Sequence, residues 1–154
     1  MPRQSQTDDP AALDRFVAAQ KDGHDIALAE LTRGRKQSHW MWFIFPQLRG
    51  LGQSSMARHY GIADLDEARR YLAHPVLGPR LRACAGAVLA HEDSSAEGIF
   101  GSIDAAKLRS SATLFAGAGG GEVFERILQV FFDGQPCPVT TARVRKDRAS
   151  EGRS

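Results

Sequence analysis

The chain has 154 residues, of which 42% are hydrophobic, 8% aromatic and 25% charged, the proportions of one globular core and not of a collagenous or wholly disordered protein. No run approaches the roughly 18 apolar residues of a membrane span, residues 1–10 lack the apolar stretch of a signal peptide, and two cysteines, Cys84 and Cys137, cannot staple a disulfide scaffold. Twenty Lys and Arg against 18 Asp and Glu give a net charge of +2, yet the excess sits in residues 142–154, with five bases and two acids.

These features predict a cytoplasmic protein with reduced thiols and no membrane partner. They divide the chain into a disordered N-terminus over residues 1–9, one helical domain over 10–141 and a disordered basic tail over 142–154. Asp9-Pro10 reads as an N-cap with Pro at the first helical position. Leu13, Phe16, Val17 and Gln20 then recur at helical spacing up to Gly23. A second helix is expected over 24–32, closed by Gly34. The apolar run 38–45 is read as a short buried helix capped by Ser38 and stopped by Pro46, because no second strand-like run exists to pair with it.

Residues 48–61 read as a loop. Asp64 with Glu67 forms a capping box that opens a helix to about Ala73, ended by His74-Pro75. Leu77, Leu81, Cys84 and Val88 mark the next helix, and Ser94 or Ser95 caps a short turn through Phe100. Ala105, Leu108, Ala112 and Phe115 share one face of a helix over 104–116. Residues 117–121 read as a flexible break, and 122–133 as a strongly apolar helix closed by Gly134. The sum is an all-α single domain of six to eight helices with orthogonal packing.

The charges inside the neutral body are segregated. Between Glu30 and Asp64 there is no carboxylate, while Arg33, Arg35, Lys36, Arg49 and Arg58 are present. The same window holds Trp40, Trp42, Phe43, Phe45 and Tyr60, five of the twelve aromatics. Bases interleaved with flat rings suit an anionic, ring-bearing ligand; a buried aromatic strip with solvated bases at its ends would leave the same trace.

Two clusters carry the candidate chemistry. Around the first run stand Lys36, Ser38, His39, Trp40, Trp42 and Gln47. If Ser38 caps a helix, its first turn offers free N–H groups to an anion, with Lys36 as a point charge, either indole as a stacking wall and His39 as the acid–base group. The second cluster is Asp104, Lys107, Arg109, Ser110, Ser111 and Thr113, where hydroxyls beside two bases suit phosphate or carboxylate. A surface Asp104–Lys107 pair is the plain alternative there. Arg80, near a helix start, needs an acidic partner or an anionic ligand. No histidine spacing fits a metal, no cofactor motif is present, and Cys137 has no neighbour in sequence that would lower its pKa.

The residues therefore predict binding of an anionic small molecule, such as a nucleotide or sugar-phosphate derivative, at Lys36, Ser38, Trp40, Trp42, Gln47, Lys107, Arg109, Ser110 and Thr113. Whether His39 turns binding into catalysis stays open. The alternative is a protein- or RNA-interaction module built on residues 33–60 and the basic tail.

Taken together, Gly34-Arg-Lys36, the run from Ser38 to Gln47, Gly50-Leu-Gly52, Tyr60-Gly-Ile62, the stretch from Tyr71 to Gly78, Ile99-Phe-Gly101 and Lys107-Leu-Arg-Ser110 make the chain resemble the bacterial family called domain of unknown function 1810. That resemblance spans about residues 13–141. It implies a compact all-helical domain and no established activity. Some members carry the label calpastatin, which describes a disordered eukaryotic calpain inhibitor and does not suit a helical domain. Two positions depart from the family pattern: His24 stands where Tyr is more usual, and Cys137 where the family's Asp-x-x-Thr has its Asp.

Overall fold

The structure is a computed structural model and describes residues 13–152. The expected N-terminal segment 1–9 and the Asp9-Pro10 cap lie outside the described residues. Among the described residues nine helices follow one another: α1 (Asp14–Arg33), α2 (Met41–Ile44), α3 (Ser55–His59), α4 (Leu65–Ala73), α5 (Leu77–Leu89), α6 (Ala96–Phe100), α7 (Ser102–Gly117), α8 (Glu122–Phe132) and α9 (Pro138–Gly152). The all-α architecture is borne out. Among the described residues the nearest thing to a strand is one isolated parallel bridge, Leu48 with Ile62, and no helix is long and apolar enough to cross a membrane.

The chain forms helices where apolar spacing and caps agree. Asp64 accepts from the Glu67 N–H at 2.9 Å and opens α4, as its capping pattern predicts. Ser95 likewise accepts from the Gly98 N–H and opens α6. Gly34, at φ +80°, closes α1 in the left-handed conformation that glycine adopts without strain.

Gly23 does not divide α1, contrary to the two helices expected over 10–32. A Cβ at Gly23 would stand 2.7 Å from the Phe43 ring, so the missing side chain admits α2 to the surface of α1. Gln20 completes that joint, donating to the Phe43 carbonyl at 2.7 Å and to the Tyr71 hydroxyl at 2.9 Å.

At the centre, α7 packs against α4, α6, α8 and α9, while α5 bridges α1 and α8. Phe16, Tyr71, Phe115 and Phe124, all buried, run in contact through the core with ring centroids 5.1, 5.3 and 5.7 Å apart. Such pairs add about 0.5–1.5 kcal/mol each beyond the area they bury. The break expected over 117–121 is a packed turn, since a Cβ at Gly120 would meet Phe124 at 2.6 Å and the Phe115 carbonyl at 2.8 Å.

Residues 142–152, expected to be a disordered basic tail, form most of α9. Two anchors explain the correction. Thr140 and Val144 are buried against α7. Arg143 donates to the Ala63 carbonyl at 2.8 Å, and Asp147 accepts from the Leu65 N–H at 3.0 Å. The two acids interleaved with the bases are what tie this helix to α4, with Arg69–Glu151 at 2.6 Å as a further link.

Candidate functional site

Ser38 does not cap the helix of the 38–45 run. That helix is Met41–Ile44, with Trp40 at its N-cap and no side-chain cap. The N–H groups expected to face an external anion face Glu30 instead. Its carboxylate, 4% exposed, accepts from the Gln37 N–H at 2.7 Å, the Ser38 N–H at 2.9 Å, the Ser38 hydroxyl at 2.5 Å and the Trp40 indole at 2.9 Å. Burial pushes this carboxyl up, but the four donors outweigh burial and hold it at about 2. The clue in the sequence was a carboxylate on the inward stripe of α1, in register with Phe16, Gln20 and Ala27.

Lys36 is committed in the same way. Its Nζ lies 2.9 Å from Asp104 and donates to the Ser38 carbonyl at 2.5 Å. Asp104 also binds Lys107 at 3.2 Å, whose Nζ stands 3.7 Å from the centre of the Trp42 ring. Burial raises the Asp104 carboxyl, and the two lysines bring it below the usual carboxylate range. The Lys36 end of the first cluster and the Lys107 end of the second thus meet at Asp104.

The rest of the second cluster lies elsewhere. Arg109 donates to the carbonyls of Gln135 and Pro136 at 2.8 and 3.1 Å. The Ser110 and Thr140 hydroxyls are 2.9 Å apart. Thr113 donates to the Arg109 carbonyl and accepts from the Cys137 N–H. These hydroxyls seat α9 on α7, because the second half of α7 is enclosed by neighbouring helices. Cys137 does have groups that lower its thiol. Burial raises it, but the Thr140 hydroxyl, the backbone N–H groups of Thr140 and Val139, and Ser110 bring it below the ordinary value. Cys84 is buried packing, its thiol pushed up to about 12.

His39 is exposed and meets no other group among the described residues. His74 accepts from the Val76 and Leu77 N–H groups through Nδ1, so it caps the start of α5 in addition to ending α4. No carboxylate pairs with Arg80 among the described residues.

One open feature gathers residues of the acid-free segment. A shallow cleft, whose enclosed space of about 10 Å³ is that of a single water, is lined by Trp42, Gln47, Leu48, Gly52, Ala57, Tyr60 and Gly61. Trp42, Gln47 and Tyr60 are half-buried there. Among the described residues the Trp42 indole N–H, the Gln47 amide and the Tyr60 hydroxyl have no hydrogen-bond partner. The loop forming its wall carries Arg49, which donates to the carbonyls of Arg58 and Gly61, and Arg58, which donates to Gln53. Main-chain carbonyls hold both guanidiniums without cancelling their charge. The Lys36–Asp104–Lys107 group adds one further net positive charge behind Trp42.

No group of three or more metal-ligating side chains occurs among the described residues. Tyr60 was visible in the sequence only as part of the aromatic run; its place beside Gln47 depends on the Leu48–Ile62 bridge, which no local pattern announces.

No curated protein matches the chain. A crystal structure of the conserved hypothetical protein Rv1873 from Mycobacterium tuberculosis is similar to it, with 48% sequence identity, a TM-score of 0.84, and coverage of 87% of this chain and 96% of that one. The family described as "Protein of unknown function (DUF1810)" matches residues 10–144, and the chain belongs to that family.

Proposed function

We propose that the Trp42–Gln47–Tyr60 cleft binds a small, flat, anionic molecule, of the nucleotide or sugar-phosphate kind. The observation that carries this reading is the pairing of uncommitted polar side chains with a rim whose cations are held by carbonyls. Polar side chains that no other part of the protein engages are free to meet the polar groups of a ligand. A half-buried indole offers a face for stacking, and Arg49, Arg58 and Lys107 supply a positive field.

The geometry shifts the expected charge partners. Lys36, Ser38 and Arg109 serve internal acceptors, so Lys107 and Arg58 take the role first given to Lys36 and Arg109. Catalysis has no support of its own here, since His39 is solvent-facing and apart from the cleft lining. The RNA-binding reading loses its disordered tail, because α9 is anchored through its own acids.

The test is a thermal-shift panel of nucleotides, dinucleotides, ADP-ribose and sugar phosphates. A ligand at about 100 times its Kd adds roughly 2.7 kcal/mol, which raises the Tm of a chain this size by about 5–10 °C. Trp42→Ala and Arg58→Ala are expected to abolish the shift while keeping the unliganded Tm within about 4 °C. A shift that survives in both variants would move the site elsewhere.

A further inference from the structure

We propose that His24 is a pH-sensitive latch in the joint between α1 and α5: as pH falls below neutrality its imidazole gains a proton beside Arg80, and the joint loosens around the buried Cys84 thiol. The latch goes beyond the cleft reading and uses none of the cleft's residues.

The joint itself carries the inference. His24 on α1 meets Arg80 and Cys84, which stand one turn apart on α5. The His24 Nδ1 lies 3.9 Å from the Cys84 sulfur. Cys84 is fully buried, while His24 and Arg80 are half-buried. Arg80 has no hydrogen bond and no carboxylate among the described residues, so the joint already holds one uncompensated cation.

The other groups around the ring do not balance it. Asp25, beside His24 on α1, is exposed to solvent. Tyr71 of α4, fully buried, is a neutral phenol whose hydroxyl accepts from Gln20. The α2 sequence Met-Trp-Phe-Ile, packed on the same part of α1, has no titratable side chain. A proton on His24 therefore puts a second cation beside Arg80, with only an exposed carboxylate to offset the pair.

Burial, and after it the Arg80 guanidinium, lower the His24 imidazole from its ordinary value, against a weaker opposing pull from Asp25. The closed joint binds the proton less readily than an open one, in which water reaches the ring. Its stability is complete above about pH 6.5 and drains away as pH falls. The same stretch of α1 seats α2, through Gln20 on the Phe43 carbonyl and Gly23 under the Phe43 ring, so the latch sits where two helices are held at once.

The experiment treats the full, unsubstituted chain with dithiodipyridine at about pH 7.5 and about pH 5.5, either side of an ordinary imidazole. Peptide mass spectrometry counts the labelling of Cys84 apart from that of Cys137. Each Cys84 rate is divided by that of a free cysteine peptide at the same pH, which removes the reagent's own pH dependence. The ratio is expected to rise about threefold to tenfold on acidification, ten being the limit set by an ordinary imidazole in the open joint. His24→Gln should abolish the rise, and Arg80→Gln should reduce it, since burial remains. NMR of the unsubstituted chain should show the His24 ring titrating below the ordinary histidine range, a reading that needs no variant.

No labelling of Cys84 at either pH, or the same ratio at both, would overturn the latch. So would a His24 ring that titrates at or above the ordinary value. A rise as large in His24→Gln would place the responsible proton elsewhere and overturn the role of His24. A rise unchanged in Arg80→Gln would overturn the part given to Arg80.

Discussion

The two halves of the acid-free segment look alike in sequence and end differently in space. Residues 33–40 contribute Lys36 and Trp40, and fold around two carboxylates from outside the segment, Glu30 in the preceding α1 and Asp104 in the distant α7. Residues 42–61 contribute Trp42, Arg49, Arg58 and Tyr60, and their two guanidiniums meet carbonyls only. A run of bases and aromatics announces an anion. It does not say whether the anion is part of the chain. The first half is a closed site whose ligand is the protein itself, and the second is open.

The largest effect expected from breaking this comparison belongs to Glu30. Glu30→Ala would leave the buried Trp40 indole N–H unpaired and take the shared acceptor from the part-buried Gln37 and Ser38 donors. A loss of about 3 kcal/mol or more is expected, a fall in Tm of roughly 6–12 °C, read by calorimetry. An unchanged Tm would show that the closed half does not depend on its carboxylate.

The pH dependence of stability sharpens the same point. Folding lowers the Glu30 carboxyl from 4.5 to about 2. The folded state therefore binds this proton less readily than the unfolded chain. Its contribution is complete above about pH 4.5 and drains away as pH falls towards 2. Urea midpoints across that range should fall for the parent protein and fall less for Glu30→Gln, which carries no titrating carboxyl. Parallel profiles would contradict the assignment.

Lys36→Met comes next. It removes one partner of a pair whose side chains are 9% and 19% exposed, for an expected loss of about 1–3 kcal/mol. Ligand affinity at the cleft should not follow that loss. Equal reductions of stability and affinity would mean that the two halves act as one site. The smallest effect is expected at Arg69→Ala, whose pair with Glu151 is 41% exposed on both sides. Under about 1 kcal/mol should be lost, since Thr140, Val144 and the Asp147–Leu65 bond hold α9 alongside this exposed pair.

Much of the fold was legible because local signals agreed with the global arrangement. The Asp64 cap, the Gly34 stop and the Leu77–Val88 stripe each coincide with an observed element. Gly23 misled because a glycine that admits a neighbouring ring looks, in one dimension, like a helix stop. The 142–154 segment misled because its charge was counted while the two acids that dock it were not paired with α4.

The site was half legible. Trp42, Gln47 and Lys107 stood in two separate clusters whose convergence spacing could not show; the fold sets Lys107 over the Trp42 ring and Trp42 beside Gln47. The hydroxyls of Ser110 and Thr113 were not separable from them by spacing, because only the docking of α9 shows which helix face they serve. The role of Glu30 was hidden by its position just outside the window whose lack of acids drew notice.

The most direct measurement compares the two indoles as reporters of the two halves. Trp40→Phe leaves Trp42 alone, Trp42→Phe leaves Trp40 alone, and each protein is titrated with iodide and with caesium. Trp42, half-buried beneath a positive rim, should be quenched strongly by iodide and weakly by caesium. Trp40, 2% exposed and bonded to Glu30, should be quenched by neither. Equal quenching of Trp42 by the two ions, or iodide quenching of Trp40 as strong as that of Trp42, would contradict the division of the segment into a closed half and an open one.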